Sequence, residues 1–446
     1  DGLYVTDGKT NKSLVWDSVE KKAKLYDDPT IKDFALEGTY EVQGVECKPA
    51  FQLLREHVKK YTPEEASKVS TVPAETIRRI AREYGEAARI GSRIVLDGKE
   101  LPYRPAAVFY FKGAQSHRHA TLTSMSINLL NQVVGNCEAV GGLLGSNPIS
   151  YGHPDTGRPS WSPSEGPNGL MATAPIWLPV GNPYPPPEAK APNTLVLSDL
   201  WPLAMAPSGF VLAVREPEKF KIPYKCKVLM FVGSNPIMTY TDPNKVAETL
   251  KKIPFIVSFS LYLDETTEFS DIVLPDACYL ERLELPHSPF WTASSNPVIE
   301  DWVVYITQPV VKPFYERRSM IEVVLELADR IGVRGDMYMI MNQVWGIIEP
   351  YRLDPAEKYT LEEITDRIFK SWFGPEHGLE YFKKHGFIKW PKKVEERYWR
   401  HFQKWRVPIY FEHFIKVGNQ VKKVLKENGL ENIGLDTDDY QALPDW

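Results

Sequence analysis

The order of apolar and polar positions predicts alternating strands and helices along most of the chain. Thr62-Pro63-Glu64-Glu65 reads as a helix start, a capping threonine with proline at the first helical position. Pro73 opens a second helix, on which Ile77, Ile80, Ala81 and Tyr84 share a face. Ala106 to Phe111 is a short apolar run of buried-strand type. The polar loop from Gly113 to His119 follows it, then a helical stripe of Leu122, Met125, Leu129, Leu130 and Val133 ending near Gly135-Asn136. A second strand–loop–helix unit is clearer. Lys227–Val232 is its strand, Gly233-Ser234-Asn235-Pro236 its loop, and Asp242-Pro243 caps a helix to about Lys251. Pro254–Phe259 and Asp271-Ile272-Val273-Leu274-Pro275 are two further strand-like runs. This alternation implies parallel βαβ units, with ligands at the carboxyl ends of the strands.

The flanking regions differ. Residues 1–60 read as irregular, with strand-like runs at Leu3–Val5 and Ser13–Trp16. Beyond residue 317 the pattern is helical. Ser319 and Glu322 form a capping box, Ile321, Val324, Leu325, Ala328 and Ile331 a stripe, and Gly332 a stop. Thr360 with Glu363 starts another helix. Between the two units, residues 148–207 hold 14 of the chain's 37 prolines, interleaved with Trp161, Trp177, Tyr184 and Trp201. No helix runs through Pro183, Pro185, Pro186 and Pro187. We read this stretch as a long rigid loop packed over something, and as a candidate for shaping substrate access.

Composition narrows the function classes. A chain of 446 residues has room for about three domains. A net charge of −5 argues against a nucleic-acid binder driven by a basic surplus. No stretch approaches the roughly 20 apolar residues of a membrane span, and no signal peptide is visible at the start. Cys47, Cys137, Cys226 and Cys278 lie far apart without a CxxC pair, so local cysteine spacing gives no zinc or iron–sulfur site; buried small hydrophobes is the plain reading. GxGxxG, GxxxxGK[ST], HExxH and GxSxG are all missing, which removes the usual support for nicotinamide dehydrogenases, P-loop NTPases, zincins and serine hydrolases.

The remaining chemistry is in loops. Gln115, Ser116, His117, Arg118 and His119 lie between a strand and a helix start, where backbone N–H groups and Arg118 suit a phosphate. Gly233-Ser234-Asn235-Pro236 lets a ligand approach the backbone, though alone it is a common turn. Asp276, Glu281 and Glu284 near His287 form either an acid–base group or a solvated charged face. Lys383-Lys384, Lys392-Lys393, Arg397 and Arg400, among Trp390, Tyr398 and Trp399, either attract an anionic or acyl-CoA-type ligand or form a solvated helical face.

The order of these segments resembles the molybdopterin oxidoreductase family of the dimethyl sulfoxide reductase type. The matching positions are Gly113 to Arg118, Gly135-Asn136 with Gly141-Gly142, Gly233-Ser234-Asn235-Pro236, Asp264-Glu265-Thr266, and Ser270 to Pro275 followed by Leu280-Glu281-Arg282. They cover about residues 60–335. The style is similar to the branch containing phenylacetyl-CoA:acceptor oxidoreductase, thiosulfate or polysulfide reductases and acetylene hydratase.

The resemblance implies an α/β fold with two related βαβ, Rossmann-like domains. Each cradles one of two pyranopterin guanine dinucleotides that hold molybdenum or tungsten. It places the end of the first domain at 1–145, a Pro- and aromatic-rich connecting loop at 146–224 and the second domain at 225–335. Residues 336–446 become a helical extension and linker toward a C-terminal domain. Gly113, Gln115, Ser116, His117 and Arg118 would meet one pyrophosphate. Gly233, Ser234, Asn235 and Pro236 would approach the second cofactor. Ser260, Asp264, Glu265 and Thr266 would help hold its guanine; many relatives carry Asp where Ser260 stands. The implied function is two-electron redox or oxygen-atom transfer on a small or acyl-CoA-type substrate. The implied partner is an iron–sulfur electron-transfer subunit. The family's [4Fe–4S] segment and the metal-ligating residue are not visible, so the expectation is an internal piece, inactive as an isolated segment, of a longer catalytic subunit. The alternatives are a non-redox hydratase on the same cofactor and a cofactor-free α/β scaffold subunit.

Overall fold

A computed structural model describes residues 4–115, 120–145, 149–162, 188–202, 210–240, 242–287, 296, 298–398 and 412–432. The first third is built from hairpins and short helices. In chain order these are β1 (Leu14–Asp17), β2 (Lys22–Leu25), β3 (Tyr40–Val42), β4 (Val45–Cys47), α1 (Ala50–Val58), α2 (Pro63–Ser70), α3 (Ala74–Ala87), β5 (Arg93–Leu96) and β6 (Lys99–Pro102). Residues 1–60, expected to be irregular, thus carry two antiparallel pairs, β1·β2 and β3·β4. Gln43-Gly44 and Asp97-Gly98 make the β3·β4 and β5·β6 turns. All four have positive φ, the backbone a two-residue type I′ turn needs. Helix α2 starts as expected, with Thr62 accepting the Glu65 N–H at 3.2 Å.

The run from Ala106 to Phe111 corrects the sequence reading. It pairs with no strand among the described residues, and Phe109 and Phe111 are 82% and 77% exposed. Its inner positions face α4 (Ala120–Val133). There Asn131 accepts the Val108 N–H at 2.9 Å and donates to the Val108 carbonyl at 2.6 Å. A short apolar run is compatible with an extended backbone, but it does not say what the backbone bonds to.

The second unit forms as expected. After α5 (Phe210–Arg215) come β7 (Val228–Val232), α6 (Pro236–Thr239), α7 (Pro243–Leu250), β8 (Phe255–Ser260) and β9 (Ile272–Pro275). The strands make one parallel sheet in the order β7-β8-β9, with Met230 opposite Val257 and Phe259 opposite Leu274. One sheet face is buried. Ile256, Leu229 and Phe231 pack with Val246 and Leu250 of α7, Leu197 and Leu200 of the connecting stretch, and Val417, Val421 and Leu425 of α13 (Glu412–Glu427). On the other face Val228, Met230 and Val232 remain exposed.

A second core joins β10 (Asp301–Tyr305), α8 (Met320–Arg330), α9 (Arg334–Val344), α10 (Leu361–Phe373), α11 (Leu379–His385) and β11 (Phe387–Pro391), while Val394 of α12 (Val394–Arg397) packs with Leu101 of β6 in a smaller cluster. Antiparallel β10·β11 pairing aligns Trp302 with Trp390. Thr360 and Glu363 form the expected capping box of α10. The Ser319 box does not form: its side chain makes no cap bond, and Asp276 accepts the Met320 N–H instead at 3.0 Å. Most of the Pro-rich stretch, 163–187 and 203–209, lies outside the described residues.

Candidate cofactor site

The carboxyl ends of β7, β8 and β9 bring one group of candidate residues together. Gly233 turns the chain out of β7 with φ +53, and a Cβ there would meet nothing within 4 Å. Its N–H donates to the Phe259 carbonyl at 3.2 Å, which ties this turn to the neighbouring strand. Thirty residues on, the β8 loop is locked to it. Asn235 Nδ2 donates to Glu265 Oε2 at 2.7 Å, and Thr266 Oγ1 donates to Asn235 Oδ1 at 2.7 Å. The same Thr266 oxygen accepts the Ile237 N–H at 3.2 Å. Thr266 is fully buried, so its own two bonds are sheltered from water, while the Asn235–Glu265 bond lies at the surface.

The other candidates divide by task. Asp264 Oδ1 accepts the N–H groups of Thr266 and Thr267, at 3.1 and 2.8 Å, and so shapes the loop. Ser260 Oγ donates to the Tyr262 carbonyl at 2.6 Å. Pro236 is buried at the start of α6. Gly233, Ser234 and Glu265 stay exposed. The Asn235 amide holds the Glu265 carboxyl below its ordinary range. Gly113 lies on the other segment, in the tight turn Lys112–Gln115, and is exposed. Ser116, His117, Arg118 and the Gln115 side chain lie outside the described residues. Two residues that the motifs do not single out, Asn128 and Asn131, sit beneath the 106–115 segment. Their signal is two asparagines at i, i+3 on one helix.

An exposed glycine turn and an exposed carboxylate suit a ligand with both a diphosphate and a base carrying N–H donors. Comparison with known proteins shows the family of the chain. The family model described as molybdopterin oxidoreductase matches residues 7–330, well over half the chain. The chain belongs to the molybdopterin oxidoreductase family. A sulfite dehydrogenase chain of Allochromatium vinosum is 29% identical over 333 residues, 67% of this chain and 33% of that protein. The thiosulfate reductase molybdopterin-containing subunit PhsA of Salmonella typhimurium is 26% identical over 309 residues, 68% of this chain and 35% of that protein. The chain therefore spans about a third of the length of these relatives. Among solved structures, acetylene hydratase from Pelobacter acetylenicus aligns with a TM-score of 0.48 at 14% identity, over 85% of this chain and 48% of that one. The cofactor class of the family is molybdopterin with molybdenum or tungsten. Among the described residues, no three His, Cys, Asp or Glu side chains converge on a metal position, and no helix is long and apolar enough to cross a membrane.

Within this molybdopterin oxidoreductase chain, the acidic group near His287 is an ion-pair network rather than a solvated helical face. Arg282 bridges Asp276 at 3.0 Å and Glu284 at 2.8 Å, Arg317 meets the buried Glu281 at 2.9 Å, and His287 lies 3.6 Å from Glu284. The His287 imidazole, helped by Arg282, holds the Glu284 carboxyl at about 2. Glu284 in turn raises His287 above its ordinary value. A carboxyl depressed on folding stabilises above its unfolded pKa of 4.5 and loses that stabilisation as pH falls toward 2. A raised histidine stabilises below 6.5 and loses it as pH rises through its folded value. The pair is thus fully formed between these limits. The difference in urea midpoint between wild type and Glu284→Gln is expected to peak between about pH 5 and 6 and to shrink on both sides. A pH-independent difference would contradict this assignment.

Of the basic clusters, Lys392 is not solvated. It is buried with its Nζ 4.4 Å from the Trp302 ring centroid. Lys383 pairs with Glu380 at 3.0 Å. Arg400 lies outside the described residues.

Proposed function

We propose that this chain is the cofactor-binding core of the catalytic subunit of a molybdenum or tungsten oxidoreductase. Its cofactor would be two pyranopterin guanine dinucleotides. The observation that carries this reading is the locked pair of loops, Gly233–Pro236 and Asp264–Thr266, at the carboxyl ends of parallel strands in a molybdopterin oxidoreductase chain. Gly233 admits a diphosphate close to the backbone, and Ser234 offers a hydroxyl. Glu265, exposed beside Asn235, accepts N–H donors of a guanine edge. Asn235, Asp264, Thr266 and Pro236 hold this surface in shape, with Ser260 at its rim. Gly113, Gln115, Ser116, His117 and Arg118 cradle the pyrophosphate of the other dinucleotide, with Arg118 as a bidentate clamp.

When bound, the metal centre supplies two-electron redox or oxygen-atom transfer, and these residues orient the cofactor. The reading includes two Rossmann-like units, at 1–145 and 225–335, joined through 146–224 and followed by the extension 336–446. It also includes a small or acyl-CoA-type substrate, a [4Fe–4S] cluster held outside this sequence and an iron–sulfur partner subunit.

Metal and pterin analysis of the full-length subunit tests the reading. Molybdenum or tungsten with guanine-containing pterin is expected, and the absence of all three overturns it. Arg118→Ala is expected to speed cofactor loss during gel filtration by roughly tenfold or more, as for a charge-assisted hydrogen bond. Unchanged retention removes Arg118 from its role.

A further inference from the structure

The segment from Ala106 to Phe111 leads directly into the turn that carries Gly113 and the proposed pyrophosphate loop. It is extended, yet no strand pairs with it among the described residues. Its outward side chains, Ala107, Phe109 and Phe111, are exposed. Something must satisfy its inward backbone groups.

Asparagine side chains reach it at every second residue, two of them at its backbone and one at the Tyr110 hydroxyl. Asn128 Nδ2 donates to the Tyr110 hydroxyl at 3.1 Å. Asn131 takes both the N–H and the carbonyl of Val108, at 2.9 and 2.6 Å. Asn136 Nδ2 donates to the Ala106 carbonyl. A carboxamide carries a donor and an acceptor, as a peptide unit does, so Asn131 stands in for one residue of a neighbouring strand. Two of the three amides, Asn131 and Asn136, are themselves coupled. Asn136 Nδ2 lies 2.9 Å from Asn131 Oδ1, and the Tyr84 hydroxyl lies 3.1 Å from Asn136 Nδ2 and 3.3 Å from Asn131 Oδ1. Asn131 and Asn136 are both 0% exposed, so water does not compete for these bonds.

The placement follows from sequence. Asn128 and Asn131 are three apart on α4 and share a face. Gly135, at φ +71, ends the helix and folds Asn136 back beneath the same segment.

We infer that Asn131, with Asn136 and Tyr84 behind it, is the positioning residue of the first dinucleotide loop: its amide replaces a strand and sets where the turn Lys112–Gln115 presents its N–H groups. This inference rests on the proposed cofactor reading. Its mechanical half does not, because the amide ladder exists without a ligand.

The test uses the full-length protein, made both in cells that supply the pterin cofactor and in cells that cannot. In the cofactor-free protein, Asn131→Leu is expected to speed hydrogen exchange of the Val108 amide roughly tenfold or more, the effect of losing a buried hydrogen bond. Exchange in the β7-β8-β9 sheet should stay unchanged. In the loaded protein, the same variant should lose guanine nucleotide faster on gel filtration. Asn131→Asp keeps the acceptor for Val108 N–H but cannot donate to the carbonyl, and should fall between wild type and Asn131→Leu in both readouts. Tyr84→Phe, a milder change, covers the case in which Asn131→Leu does not fold; it should raise exchange at Val108 by a smaller factor. Unchanged exchange at Val108 in all three variants overturns the ladder. Faster exchange with wild-type nucleotide retention overturns its positioning role. A wild-type protein without guanine nucleotide overturns the cofactor reading and leaves the exchange result to stand by itself.

Discussion

Gly142→Ala is expected to destabilise the fold by about 3 kcal/mol, the scale of overpacking against atoms that cannot move aside. A Cβ at Gly142 would lie 2.1 Å from the Asn136 carbonyl oxygen, and 2.9 Å from both its carbonyl carbon and its Cβ. No flexible side-chain tip can yield there. That carbonyl also accepts the N–H groups of Ala139 and Leu143, each at 3.1 Å, so displacing it opens the turn from 136 to 143. Asn136 would move with it, and the bonds it makes to Ala106, Asn131 and Tyr84 would lengthen. Gly85→Ala is the control. It lies inside α3 with nothing within 4 Å of the new methyl, and should stabilise by up to about 1 kcal/mol through helix propensity. Urea unfolding of both variants measures the contrast. A Gly142→Ala midpoint within experimental error of wild type would remove the steric reason for glycine here.

The parallel sheet is legible because its strands are short, apolar and separated by turn residues. β7, β8 and β9 fall within a residue of the boundaries read from sequence. Asp97-Gly98 between two alternating runs is an equally good hairpin signal, one that the α/β reading leaves aside. The errors share a cause. At 106–111 the pattern gives the backbone conformation correctly, but its partners are two amides 23 and 30 residues away rather than a strand. At Ser319 the local box is plausible, but Asp276, 44 residues earlier, reaches the Met320 N–H first. In the candidate site the motif order finds the two loops after β7 and β8. It does not reveal that Asn235 commits its amide to Glu265 and Thr266, because a side-chain bond across 31 residues leaves no periodic trace.

The second core depends on one carboxylate. Glu396 is 2% exposed. Its Oε1 accepts the Trp302 indole N–H at 2.9 Å and the Tyr151 N–H at 2.8 Å, and its Oε2 accepts the Lys393 N–H at 2.6 Å. Three stretches far apart in sequence therefore converge on one side chain. Trp302 is fully buried, stacks edge-on against Trp161 at 5.1 Å and pairs across β10·β11 with Trp390. Glu396 also acts on Lys392. Burial lowers that lysine to about 8, and the Glu396 charge opposes the drop. Glu396→Ala removes the shared acceptor of the Trp302, Tyr151 and Lys393 N–H groups and the charge that opposes the drop at Lys392. The expected cost is about 3–5 kcal/mol, the range for breaking a buried charged network from one side. Glu396→Gln keeps an oxygen for Trp302 and Tyr151 and should cost less than half as much. The two variants separate hydrogen bonding from charge. If bonding dominates, Gln recovers most of the urea midpoint. If charge dominates, both variants fall together, and Lys392 titrates lower in each. An Ala variant within about 1 kcal/mol of wild type would mean that the Trp302 core is held by apolar packing alone.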